Sequence, residues 1–122
     1  MSENIKQTIL NVAAKTIADR GPQYGNTHDS MSHIANLWSD YMGVHVTPFD
    51  VANMMSLLKI SRSKTGNPRN MDNYVDNAAY SAIAAEMVGY VWPNQQAPTN
   101  VQQVATEAVA DALTTTPGSA TS

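Results

Sequence analysis

Cysteine is absent from the 122-residue chain, which removes disulfides and thiolate metal ligands and accords with a reducing compartment. Aromatics are scarce, with one Phe, two Trp and five Tyr. The core must therefore come from aliphatic side chains and from seven methionines, which fill irregular gaps between helices. No apolar run approaches the roughly 20 residues of a membrane-crossing helix, and the opening MSENIKQTILNVAAK lacks the apolar block of a signal peptide. These absences predict a soluble, cytoplasmic protein with no membrane contact. Cations are few and unevenly placed. Seven Lys and Arg stand against ten Asp and Glu, a net charge of −3, and none follows Arg69. An acidic chain is a poor general nucleic-acid binder, because that affinity comes from neutralised phosphates. Yet four of the seven cations, Lys59, Arg62, Lys64 and Arg69, are close together, a density suited to holding a small anion locally.

What is present reads as helix. The periodicity predicts an all-α fold, a compact bundle of four to five helices over residues 1–114 that self-associates, with an uncharged, disordered tail over 115–122. The first helix is expected over residues 3–20, capped by Ser2 and ended by Gly21-Pro22, with Ile5, Ile9, Val12, Ala13 and Ile17 as its buried stripe. A Gly- and Pro-containing loop over 20–27 follows. Its Tyr24 either lids the core or places a ring over a pocket, and its amides lie at a helix N-terminus, a place that can hold an anion. The second helix is expected over 28–42, capped by Thr27 or Asn26 and stopped by Gly43, with Trp38 as the central core aromatic. His28 and His33 are five residues apart and do not share a face as a zinc pair would, whereas Asp29 and His33 are spaced to meet.

Thr47-Pro48-Phe49-Asp50 is a helix start with cap, proline and capping-box acid in register. The helix it opens, over 48–64, is apolar around most of its circumference, which predicts a central position or burial by another subunit. Its narrow polar strip is Asn53, Ser56, Lys59 and Ser63. A fourth helix is expected over 70–91. A fifth, over 99–113, has small side chains suited to close helix approach.

The junction of the third and fourth helices concentrates the chemistry. Lys59, Arg62 and Lys64 close one helix, Arg69 lies in the loop, and Asp72 and Asp76 open the next. At about 100° per residue, Asp72, Asp76 and Glu86 share a stripe with Ala79 and Ile83. Carboxylates on a packing face must be paired, protonated or metal-bound. The functional expectation is that these acids and cations converge on one cavity. The structural alternative is a row of cations favoured by a helix C-terminus, a helix-start Asp72, an Asp76 salt bridge to the cluster and a solvated Glu86.

Tyr24-Gly25, Ile34-Ala35-Asn36-Leu37-Trp38-Ser39, Tyr41 and Asp50-Val51-Ala52 resemble an uncharacterised family of small bacteriophage and prophage proteins. The likeness continues through Met54-Met55, the run from Leu57 to Arg62, Asp72-Asn73, Asp76 and Ala78-Ala79-Tyr80. It covers about residues 20–90 and leaves out the first and fifth helices. The spacing of Asp72, Asp76, Ala78 and Tyr80 is also distantly similar to nucleotide-modification-associated domains and to MazG-like, all-α nucleoside triphosphate pyrophosphatases. That resemblance implies Mg²⁺ held by Asp72 and Asp76 with Glu86, phosphate oxygens on Lys59, Arg62 and Arg69, and a base stacked on Tyr24 or Tyr80. The sequence departs from the MazG-like pattern in having no Glu-x-x-Glu, so half of that metal cage is missing or remodelled. Two functions follow. One is a small-nucleotide-binding protein that hydrolyses or sequesters its ligand. The other is a non-enzymatic module that docks on a host or phage protein.

Overall fold

Three asparagines and a threonine start four helices. In this computed structural model, which describes residues 4–93, they are α1 (Ile5–Tyr24), α2 (Thr27–Met42), α3 (Pro48–Thr65) and α4 (Met71–Val91). The side chains of Asn4, Asn26, Thr47 and Asn70 each accept a hydrogen bond from an amide of the first turn that has no helical partner. At α3 the exchange is reciprocal. Thr47 Oγ1 accepts from the Asp50 amide at 3.1 Å, and Asp50 Oδ2 accepts from the Thr47 amide at 2.9 Å. Thr47→Ala removes half of this capping box and should lower stability by about 1 kcal/mol. The check is a urea midpoint that falls with an unchanged slope. Among the described residues there is no strand, so the chain is all-α there. The predicted Ser2 cap, the helix over 99–113 and the tail over 115–122 lie outside the described residues.

The α1 terminus corrects the sequence expectation. The helix runs through Gly21-Pro22 for one more turn and stops at Gly25, whose φ of +70° leaves the helical region. Proline's fixed φ is helical, and the steric conflict it usually imposes on the preceding residue is relieved at Gly21, which has no Cβ. Gly43, at φ +71°, ends α2 as expected.

The central pair is α3 with α4. Helix α1 packs mainly on α4, and α2 mainly on α3. The core lies among α2, the first half of α3 and the second half of α4. It contains Met31, Ala35, Val46, Val51, Ala52, Ala84 and Met87, with Ile34, Trp38, Phe49, Met55 and Ile83 against it. Val51 and Met87 are the large side chains with no exposure at all. Trp38 is half-buried at the margin, not the centre, of this cluster. The connector before α3 is pinned to α2 by Ser39 Oγ, which accepts from the Val46 amide at 2.8 Å and donates to its carbonyl at 3.2 Å.

One face differs from its sequence reading, and a second is set by a neighbouring helix. Among the described residues of α1 Ala13 alone is buried, and Ile5, Val12 and Ile17 are exposed, because among the described elements α1 packs mainly on α4, and a single contact line covers a narrow strip. On the second half of α3 the structure sets an orientation that the helix's own pattern leaves open. Ser56, Lys59 and Ser63 are half-buried, while Leu57, Leu58 and Ile60 are exposed. The polar strip meets α4, and the apolar circumference faces outward.

Candidate functional site

The inward facing of the α3 polar strip has a local cause on α4. Met87, Ile83, Tyr80, Asp76 and Asn73 fall on one face of α4 at about 100° per residue. That face turns from apolar near Met87 to polar near Asn73, which is itself buried. Lys59 meets Asp76 across the helix pair, Nζ to Oδ2 at 2.9 Å, with the side chains only 14% and 21% exposed. Nearby on the same strip of α3, Ser56 Oγ is buried without a hydrogen-bond partner. The α3–α4 hairpin therefore has an apolar end and a polar end, and Asp76 lies at the transition.

The other charged residues predicted for the site do not join this pair. Arg62 and Lys64 are exposed in the last turn of α3, where cations offset the carbonyl end of the helix. Arg69 is exposed in a loop held by its own bonds. Asn67 Oδ1 accepts from the Arg69 amide, and Tyr74 Oη donates to the Pro68 carbonyl at 2.7 Å. Asp72 is an exposed first-turn acid, and Glu86 is exposed. Among the described residues the ion pairs are Lys15–Asp19, His28–Asp29 and Lys59–Asp76. The expected convergence of Lys59, Arg62, Arg69, Asp72 and Asp76 thus reduces to Lys59 and Asp76. Glu86 shares an angular stripe with Asp76 but sits about 15 Å further along the axis, at 1.5 Å per residue. Among the described residues no three His, Asp or Glu side chains gather as a metal site.

Asp76 has a second exposure. It lines a cavity of about 320 Å³ between the end of α1, the first turn of α2 and α4. Ile17, Met31, Ile34, Ala79 and Ile83 supply its apolar lining, and Arg20, Thr27, Ser30, Asp76 and Tyr80 its polar groups. Asn26 Oδ1 takes the Asp29 amide at 3.1 Å, which leaves the earlier amides of α2 without helical partners. Of the residues expected to bind ligand, Tyr80 lines this cavity, and Tyr24 ends α1 with a side chain outside what the structure describes. The sequence reading placed an anion site at the start of α2 but passed over Arg20, Thr27 and Ser30. The available signal was an asparagine cap followed by two hydroxyls, with an arginine two turns before it.

His28, Asp29 and Ser32 have the composition of a nucleophilic triad without its geometry. Ser32 Oγ is 3.2 Å from His28 Nε2, but Asp29 Oδ1 is 3.7 Å from Nδ1 and its side chain is 83% exposed, so the ring is not oriented by the acid. His28 instead stacks on Tyr90, centroids 4.0 Å apart, and ties the first turn of α2 to the end of α4. Asp29 sits beside His28, not beside His33 as its spacing had suggested.

Comparison with known proteins gives sequence relatives. A family model described as a domain of unknown function, DUF6378, matches residues 8–88, which takes in most of α1 as well as α2 to α4. The Gene 55 protein of Mycobacterium phage L5 is 40% identical over 82 residues, covering 66% of this chain and 52% of that protein. The Gene 55 protein of Mycobacterium phage D29 is 35% identical over 78 residues, covering 63% of this chain and 51% of that protein. The chain thus spans about half the length of these curated relatives. No solved structure matches. Among the described residues no helix is long and apolar enough to cross a membrane.

Proposed function

The chain belongs to the family described as a domain of unknown function, DUF6378, which has relatives in mycobacteriophages, and from this premise we propose that it binds a small nucleotide in the cavity between α1, α2 and α4. The observation that carries the reading is the composition of that cavity. Arg20 and the N-terminus of α2 supply positive potential and free amides for a phosphate. Tyr80 and the aliphatic lining suit a flat ring, and the Asp76 carboxylate suits amino or hydroxyl donors. The volume is at the lower end of ligand sites, about 300–1,000 Å³, which favours a mononucleotide-sized ligand over a larger one.

Sequestration is the form of this function that the residues support best. A MazG-like pyrophosphohydrolase would need carboxylates gathered on Mg²⁺, and here Asp76 is engaged by Lys59 while Asp72 and Glu86 are exposed. The residues do not fit that three-carboxylate cage, so no hydrolytic step is assigned to them. The test is thermal unfolding with a panel of nucleotides, each with and without Mg²⁺. A true ligand at 100 times its dissociation constant should add about 2.7 kcal/mol. Arg20→Glu, an exposed position, should leave the free protein's stability unchanged and weaken binding at least about tenfold, the effect of about 1.4 kcal/mol. A flat response across the whole panel removes the proposal.

A second reading, docking on a host or phage protein or on another copy, is favoured by one feature. Leu37 and Tyr41 share a face of α2 at 54% and 92% exposure, beside an exposed Val44. If nucleotides do nothing and Tyr41→Glu abolishes co-purification of a partner or self-association, that reading takes precedence.

A further inference from the structure

The α4 wall of the cavity between α1, α2 and α4 has one charged position. Asp76, Ala79, Tyr80 and Ile83 line the cavity at intervals of three and four residues, which is one face of the helix. Ala79, Ile83 and the Tyr80 ring offer apolar surface, and Asp76 offers a carboxylate. Among the described residues, Arg20 and Asp76 are the charged side chains of the lining. They have opposite signs and come from different helices, and Arg20 takes part in none of the described ion pairs. A ligand that meets both needs an anionic end and an end that donates hydrogen bonds.

The Asp76 side chain is 21% exposed and is held by Lys59 through Oδ2 at 2.9 Å. As the partner of an ammonium it is an acceptor only, and its two oxygens have about four acceptor positions. One ammonium therefore leaves room for further donors. The nucleotide bases differ at the edge such a carboxylate would meet. Guanine presents two adjacent donors, the ring N1–H and the 2-amino group. Adenine and cytosine present one amino group beside a ring-nitrogen acceptor, and uracil one N–H between two carbonyls. An acceptor set against a carboxylate is repelled, because neither supplies a hydrogen. We propose that the cavity selects guanine nucleotides, with Asp76 accepting from N1–H and the 2-amino group while Arg20 and the first turn of α2 hold the phosphate. This selectivity rests on nucleotide binding in the cavity and adds to it the base and the residue that chooses it.

Calorimetric titration of the full chain with the monophosphates of guanosine, inosine, adenosine and cytidine is the test. Inosine differs from guanosine only in lacking the 2-amino group. The guanosine nucleotide should bind at least about tenfold more tightly than the inosine one, the effect of one hydrogen bond to a charged group. It should also bind more tightly than the adenosine and cytidine nucleotides. In Lys59→Met/Asp76→Leu, which leaves no stranded ammonium, the guanosine-to-inosine ratio should fall to about one, since nothing then accepts from the 2-amino group. A ratio unchanged in that variant overturns the role of Asp76. Equal affinity of the parent protein for all four nucleotides, or a preference for adenosine or cytidine, overturns guanine selection and leaves nucleotide binding standing. No binding of these nucleotides or of their triphosphates removes guanine selection and nucleotide binding together.

Discussion

Replacing Met87 with alanine should destabilise the protein by about 2–5 kcal/mol, the range for large-to-small changes at fully buried positions. Met87 has no exposed surface and belongs to the cluster formed with Met31, Ala35, Val51 and Ala52. Its neighbours from α2 and α3 include two alanines, and the aromatic Trp38 and Phe49 are only partly buried at the edge. Little side-chain volume is available to collapse into the space, so the cost belongs in the upper part of the range. Against a total stability of about 5–15 kcal/mol for a small domain, this is a large fraction. Equilibrium urea unfolding reads it directly. Met87→Leu, which nearly conserves volume, should cost less than about 1.5 kcal/mol, and Met71→Ala, at an exposed position, should fall within about 0.5 kcal/mol of the parent. A Met87→Ala protein as stable as Met71→Ala would mean that the core is not centred on the meeting of α2, α3 and α4.

The parts of this fold that were legible in the sequence are the ones decided locally. Helix starts at Asn26, Thr47 and Asn70 depend on a side chain and an amide two or three residues away, and their signals survive folding unchanged. The end of α1 was misread because Gly-Pro is also local punctuation, but of ambiguous sign when the glycine removes the proline's usual conflict. The facing of α3 was illegible for a different reason. A helix apolar around most of its circumference has no weak face in its own pattern, and its polar strip turns inward where Asp76 on α4 pairs with Lys59. That choice is made by another segment of the chain. The three-carboxylate stripe failed on geometry, since angle alone ignores rise along the axis. Lys59 and Asp76 were correctly brought together, because loop-joined helices place their adjoining ends side by side. The cavity draws on three helices, and only its α2 edge had a readable sign, the helix N-terminus after Asn26.

Lys59→Met should cost about 2–4 kcal/mol, and the same change made together with Asp76→Leu should restore most of it. Breaking a buried ion pair by removing one partner typically costs about 3–5 kcal/mol, because the other charge is left without compensation. The Lys59–Asp76 pair keeps 14% and 21% exposure, so water recovers part of the penalty and the lower figure applies. Replacing both partners with apolar side chains removes the stranded charge and is often neutral or stabilising. A double-mutant cycle over the four proteins measures the coupling between the two sites. Purely additive effects would mean that the 2.9 Å contact contributes nothing. The double variant also separates architecture from recognition. Asp76 stabilises the hairpin through Lys59 and lines the cavity, so Lys59→Met/Asp76→Leu should be folded and yet unable to offer a carboxylate to a nucleotide's amino or hydroxyl groups. If that variant is as stable as the parent and has lost the ligand response seen with the parent, Asp76 recognises the ligand directly. If it responds to nucleotides as the parent does, Asp76 serves the helix pair alone, and recognition rests with Arg20, Tyr80 and the first turn of α2.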